Sequence, residues 1–320
     1  MYININGGRN INYKSHLHRV LEQHRFAITG EIGPPKSADG SVIVHKADIL
    51  HSVTDACNIT DNQTAVVRLS SLAGALLIKQ RNVEPILQMS CRDRNRIALQ
   101  SDILGAIALG VKNILLVTGD HQSVGNHPQS KGVFDIDSLQ LVTIAKQLRD
   151  EGLFQNGEPI KKPFSDLFIG AVCNPFATPY DFRVDRLEKK INAGADFIQT
   201  QSVFNLDRFQ LFMDEVCQRD LENDVFIIAG ITPIKSEKML DRMKFHIPGV
   251  DIPDSLYKRL KESEDFQKES LLVTNEIIEH IQQIKGVTGI HITALFWESI
   301  IPVIVEQAGF LPRPKHELHH

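Results

Sequence analysis

Glu31 is the residue with the most chemistry to offer. It closes the apolar run FAITGEI (26–32) and precedes a stiff Gly33-Pro34-Pro35 turn. A carboxyl held there is partly withdrawn from water, could keep a proton at neutral pH and could act as a general acid. Pairing with an arginine is the plainer alternative. Asp120 follows the run KNILLVTG (112–119) and sits beside Gly119, which lets a ligand approach the backbone. Two carboxylates so placed could divide the roles of proton donor and fixed hydrogen-bond acceptor. Polar residues close the other apolar runs as well: Asn58 and Thr60, Gln88 and Ser90, Asn174, Gln199 and Gln201, Thr232, and His291 with Thr293. Polar groups gathered at one end of apolar segments need a ligand or water to satisfy them, although such ends are also simply where polar loops begin.

Other chemistry-bearing groups read more plainly. His121 and His127 in HQSVGNHP lack an evident third ligand, so no metal site is expected. Cys57, Cys91 and Cys173 fall near the ends of apolar runs; a thiol nucleophile is conceivable, but buried cysteine more often behaves as a small core hydrophobe. Arg92, Arg94 and Arg96 in CRDRNR could meet a phosphate or form a solvated face. The same two readings apply to Arg186, Lys189 and Lys190.

The elements that must position these residues follow from the alternation of short apolar runs with longer amphipathic stretches. Runs at 26–32, 53–60, 84–90, 112–119, 166–173, 196–201, 225–231 and 289–295 are rich in Val, Ile and Phe and too short for helices. Between them, helices are expected over about 39–51, 64–80, 94–109, 136–151, 184–193, 206–217, 236–243 and 297–307. Eight strand-then-helix units predict a (β/α)8 TIM barrel, in which chemistry collects at the C-terminal strand ends. Leu256, Leu260, Leu271, Ile277 and Ile281 recur at helical spacing, so one or two extra helices are expected before the last strand. No Ser/Pro-rich linker divides the chain. The expected organisation is a helical extension (1–25), a barrel domain (26–310) and a flexible polar tail (311–320). An open doubly wound sheet is the alternative; its dinucleotide fingerprint GxGxxG is absent.

Composition bounds the function. The chain has 320 residues, 42% hydrophobic and 23% charged, with a net charge of −4. That is ordinary for a globular protein and argues against nucleic-acid binding, which favours a basic patch. Neither a signal peptide nor an apolar run long enough for a membrane span is read, and widely separated cysteines fit a reducing cytoplasm.

Five segments together resemble the flavin-dependent methylenetetrahydrofolate reductase family: GEIGPP (30–35), SCRDRN (90–95), VTGDH (117–121), NAGADFIQTQ (192–201) and GITPIKS (230–236). The resemblance runs from about Phe26 to Gly309. It implies a barrel flavoprotein of one-carbon metabolism and methionine biosynthesis that reduces a methylene-bridged tetrahydropterin to its 5-methyl form. By this resemblance Glu31 matches the catalytic proton donor, Asp120 the aspartate near flavin and pterin, and Gln201 the glutamine that binds folate. Thr60, Gln88, Asn174, Arg186 and Lys190, with Asp120, fall where the family contacts its flavin. The chain departs from the better-known bacterial pattern: Asp61-Asn62 replaces a Tyr-Gly pair, Gln88 a histidine, Thr118 an arginine and Asn174 a tyrosine. These departures resemble a divergent branch of anaerobic one-carbon metabolism. They leave open FAD or FMN as cofactor, NADH or a partner subunit as reductant, and tetrahydrofolate or tetrahydromethanopterin as carrier. A homo-oligomer or a complex with an electron-transfer subunit is expected. A pterin-dependent methyltransferase and a non-catalytic subunit of a one-carbon complex are the alternatives.

Overall fold

Eight short parallel strands pair in chain order and close on themselves, β1 against β8. The computed structural model describes residues 13–315; residues 1–12 of the expected extension and 316–320 of the expected tail lie outside them. The strands are β1 (Ala27–Ile32), β2 (Ala56–Ile59), β3 (Pro85–Ser90), β4 (Asn113–Val117), β5 (Phe168–Cys173), β6 (Phe197–Ser202), β7 (Phe226–Ile231) and β8 (Val287–Ile292). Helix α1 (His16–Glu22) precedes β1. The outer helices are α2 (Ser41–Leu50), α3 (Ser71–Lys79), α4 (Arg96–Ala108), α5 (Ser138–Lys146), α6 (Arg183–Ala193), α7 (Leu206–Gln218), α8 (Glu237–His246) and α11 (Ile301–Gln307). The segment before β8 supplies both extra helices, α9 (Asp254–Lys261) and α10 (Phe266–Ile281). This is the (β/α)8 barrel that the alternation predicts. No helix among the described residues is long and apolar enough to cross a membrane.

Local chemistry sets the helix starts. Asn95 accepts from the backbone N–H groups of Ile97 and Ala98, and Asp137 with Gln140 forms a capping box. The helix expected from about Thr64 begins only at Ser71, because Ser70 caps it by accepting from Ala73 N. The preceding stretch holds only a distorted 3-10 turn at Gln63–Ala65 and cannot run on as an α-helix: Asn62, Thr64 and Ala65 hold positive φ. Strand β8 ends at Ile292, short of the expected 295, and α11 starts at Ile301 behind a short 3-10 turn.

Closure sorts the strand residues by parity. Ile28, Ile32, Cys57, Ile59, Leu87 and Met89 face outward into the main core beneath the helices. The alternate residues face the lumen. At its lower end they are apolar: Ala27, Ala56, Ile86, Phe168, Phe197 and Ile228 pack with Leu17, Val20 and Leu21 of α1, which stoppers the barrel. Gly170 is required here, since a Cβ would stand 2.2 Å from the Phe197 ring. The lower end is fastened by a buried ion pair. Asp55, before β2, accepts from Ile28 N at 2.7 Å and from Arg313, whose guanidinium also donates to Phe26 O at 2.9 Å. Burial pushes the Asp55 carboxyl above its ordinary range, and Arg313 opposes the shift.

Removing one partner of such a pair leaves an uncompensated buried charge. Arg313→Ala is expected to cost about 3–5 kcal/mol of unfolding free energy, and Asp55→Asn in the same chain to recover part of it. Urea titrations followed by circular dichroism check this; a loss within error of zero would remove the latch from the account.

Candidate active site

At the C-terminal strand ends the lumen opens into a cavity of about 450 Å³. That volume suits a small ligand or one end of a larger one. The cavity is chemically divided. Glu31 and His291 stand on the β1–β8 side, Asn174, Arg183, Arg186 and Lys190 on the β5–α6 side, and Gln88 of β3 and Gln201 of β6 between them.

Glu31 is the last inward residue of β1. Its side chain is 18% exposed, and Oε2 lies 3.7 Å from Nε2 of the buried His291. The neighbour is thus a histidine and not the arginine of the plainer reading. Beneath them Thr29 Oγ1 is 3.0 Å from His291 Nδ1, Gln199 Nε2 donates to Thr29 Oγ1 at 3.4 Å, and the Asn58 and Gln199 amides bond reciprocally at 2.6 and 3.1 Å. Gln201 reaches the cavity through a bulge. The pairing of β6 with β7 runs Gln199↔Ile228 and then Ser202↔Gly230, so β6 carries one extra residue. Gly230 accommodates the bulged backbone: a Cβ there would meet Thr200 O at 2.5 Å.

The cationic side is built on α6. Arg183, Arg186 and Lys190 recur at i, i+3 and i+7, one face of a helix. Lys190 Nζ donates to Val172 O, and burial holds its ammonium below the ordinary lysine range, with Cys173 opposing and Arg186 assisting that shift. Arg183 donates to the carbonyls of Tyr180 and Pro175 and lies over the Tyr180 ring. Asn174 accepts from Phe176 N, and its Nδ2 packs against Gly249, where a Cβ would stand 1.9 Å from it.

The cavity lining therefore unites Glu31, Gln88, Asn174, Arg186, Lys190 and Gln201, and omits two of the predicted site residues. Asp120 is exposed on the loop after β4, its backbone carbonyl held by Arg92. Thr60 is buried and donates to Gln63. Of the family departures, Gln88 and Asn174 line the cavity, whereas Thr118 bonds Ser138 Oγ and Asp61 pairs with Arg94. The arginines of CRDRNR are consumed by protein partners: Arg92, 3% exposed, by Asp93 and the carbonyls of Asn62 and Asp120; Arg94 by Asp61 and Asp102; Arg96 by Asp135. His121 and His127 are exposed and bond Ser123 and Asn126, and no cluster of metal-ligating side chains occurs among the described residues. Arg183, Thr29 and the roles of Gln199 and His291 escaped the reading of strand ends. The strand period offered a signal: Thr29, Asn58, Gln199 and His291 each lie two residues before a singled-out polar residue and so share its face.

The family model for methylenetetrahydrofolate reductase matches residues 16–309. Methylenetetrahydrofolate reductase 2 of Schizosaccharomyces pombe is 24% identical over 273 residues, covering 78% of this chain and 39% of that protein. The enzyme of the same name in Saccharomyces cerevisiae is 28% identical over 262 residues, covering 77% and 40%. The chain thus spans about two fifths of the length of these curated relatives. Among solved structures, a Clostridium thermocellum protein described as binding two copies of 5-methyl-5,6,7,8-tetrahydrofolic acid superposes with a TM-score of 0.66 at 18% identity, covering 92% of this chain and 100% of that one. At that identity the likeness establishes the fold.

The cysteines supply a check on this geometry. Burial pushes the Cys57 thiol up to about 12 and those of Cys91 and Cys173 up to about 11, which removes them as nucleophiles near neutral pH. Cys217 is half-buried on α7. Iodoacetamide is expected to modify Cys217 first in the folded protein and the other three only after denaturation, as read by peptide mass spectrometry. Early labelling of Cys173 would contradict its enclosure.

Proposed function

The chain belongs to the methylenetetrahydrofolate reductase family, and from that premise we propose that it reduces the methylene bridge of a 5,10-methylene-tetrahydropterin to a 5-methyl group. The carrier is tetrahydrofolate or tetrahydromethanopterin. The observation that carries this reading is the division of one cavity into a carboxyl side and a cationic side with carboxamides between. A pterin is a flat heteroaromatic with donors and acceptors on its edge, which Gln201 suits.

The residues present fit a flavin. Arg186 and Lys190, with Arg183, offer positive charge to a phosphate of FAD or FMN, and Gln88 and Asn174 offer amides to a polar ring edge. When bound, the reduced flavin would supply the hydride, the redox chemistry that the side chains lack. NADH or an electron-transfer partner subunit would regenerate it. The chain's own residues handle the proton. The methylene bridge opens when its leaving nitrogen is protonated, and Glu31 gives that proton. Gln201 holds the pterin, and the half-buried position of Glu31 limits competition from bulk water. In this proposal Asp120 orients the pterin from the exposed loop after β4, and Thr60, buried after β2 and bonded to Gln63, braces the cavity wall. The cytoplasm is the proposed compartment.

The test begins with the visible spectrum of the purified protein, then anaerobic photoreduction and addition of methylenetetrahydrofolate or its methanopterin counterpart. Flavin bands that bleach and return on addition of the pterin support the reductase. A protein that takes up neither FAD nor FMN yet binds folate overturns it in favour of a pterin-dependent methyltransferase. Glu31→Gln is expected to keep the flavin bound and reducible while slowing pterin-driven reoxidation by ~10²–10⁴-fold in stopped-flow records. A wild-type rate in that variant would remove Glu31 from the proton step.

A further inference from the structure

Below Glu31 a line of polar side chains crosses a lumen that is otherwise apolar. Asn58 on β2 and Gln199 on β6 reach each other across the barrel, and both are buried. Apolar residues would fill this layer with no hydrogen bonds to satisfy, so each polar group here depends on its partners. Gln199 uses Oε1 to accept from Asn58 and Nε2 to donate back and onward to Thr29. The Thr29 hydroxyl thereby accepts on one side and has a single proton to give. Two acceptors lie within reach, His291 Nδ1 at 3.0 Å and Ile290 O at 3.4 Å.

We propose that Asn58, Gln199 and Thr29 are positioning residues that hold the proton of neutral His291 on Nε2, so that this N–H faces Glu31 Oε2 and the acid proton of Glu31 is carried on Oε1. The link to catalysis rests on the reading of Glu31 as proton donor. Thr29 gives its proton to the nearer acceptor, Nδ1. A neutral imidazole whose Nδ1 accepts carries its hydrogen on Nε2. Nε2 stands 3.7 Å from Glu31 Oε2, an approach that needs a small closure to become a hydrogen bond. A donor at Nε2 keeps Oε2 an acceptor whether Glu31 is protonated or ionised. The transferable proton is then confined to the other oxygen, and the same N–H stabilises the carboxylate left after transfer. With the opposite tautomer, Nε2 would compete with the substrate nitrogen for the Glu31 proton.

The tautomer can be read without substrate or flavin. In uniformly ¹⁵N-histidine-labelled protein, long-range ¹H–¹⁵N correlation spectra distinguish the two ring nitrogens, and His291→Gln assigns the signal. The expected result is Nε2–H in the wild type and in Thr29→Ser, and a mixture or a switch to Nδ1–H in Thr29→Val. Gln199→Met, a second route to the same loss, should shift the tautomer in the same direction. Nδ1–H in the wild type, or an unmoved tautomer in both Thr29→Val and Gln199→Met, would overturn the proposal. In turnover, Thr29→Val should lower kcat about tenfold with KM within about twofold, a part of what general-acid catalysis supplies, and Thr29→Ser should restore it. The expected tautomers in a protein inert toward methylene-pterins would mean that the reductase reading had failed and the assignment of the His291 proton had held. Normal reductase activity in a Thr29→Val variant whose tautomer has moved would mean that the reductase reading had held and the link from the His291 proton to catalysis had failed.

Discussion

Closure of the parallel sheet is the constraint on which everything else rests. In a closed sheet every strand residue faces either the lumen or the helix layer, and the choice alternates along the strand. On β1 this sends Ile28 and Ile32 outward and Ala27, Thr29 and Glu31 inward. The lumen is too narrow to leave empty, so its lower layers must be filled. The phenylalanines of β5 and β6 and the α1 stopper do this. Above them the filling turns polar: first the Asn58–Gln199 bridge with Thr29 and His291, then Glu31 and Gln201 at the open end. Glu31 therefore stands on a packed column and not on a loop, and its rotamer is limited by what lies beneath it.

The loops around the mouth are tied by charge. Arg92 joins the loops after β2, β3 and β4 through Asn62 O, Asp93 and Asp120 O, and Arg94 adds its pair with the buried Asp61. On the opposite side Lys46 of α2 pairs with Glu298 after β8 at 2.5 Å. Partly buried ion pairs are weak evidence for stability, because desolvation offsets the attraction. Their value here is geometric: each fixes one loop relative to another at the edge of the cavity. These pairs also account for the basic CRDRNR motif, whose charges turn inward to carboxylates and carbonyls instead of outward to a ligand.

Much of this was legible beforehand because a parallel barrel writes a simple pattern. Buried strands between amphipathic helices read as apolar runs, and the eight runs, the two extra helices and the residues at strand ends follow from that pattern alone. The details lost were those in which tertiary contacts decide. The helix before β3 looks amphipathic from Thr64, but positive φ at Asn62, Thr64 and Ala65 delays it to the Ser70 cap. Asp120 ends an apolar run as Glu31 does, yet Glu31 lies within its strand and faces the lumen, while Asp120 lies past the end of β4 on the surface. The sequence neighbourhoods are alike; the strand boundary separates them. Thr29 was hidden because threonine in a run of Ala, Ile and Gly reads as an ordinary strand former, and only the inward parity shared with Glu31 marks it out.

Every neighbouring pair of strands except one is joined by a nearby connection in the chain. The exception is the seam between β1 and β8, where Ala27 pairs with Gly289 across most of the polypeptide. The molecule reinforces that seam at both ends, with Arg313 on Asp55 and Phe26 and the stacked Phe26 and Phe310 rings below, and with Lys46 on Glu298 above. On the ribosome this join is the last to become possible. Until β8 has emerged, β1 and β7 are bare edges of an incomplete sheet, able to pair with any other exposed strand. The span of biosynthesis between those two strands is therefore when this chain is most exposed to aggregation, and the clasps at the seam end that exposure once the final strand arrives.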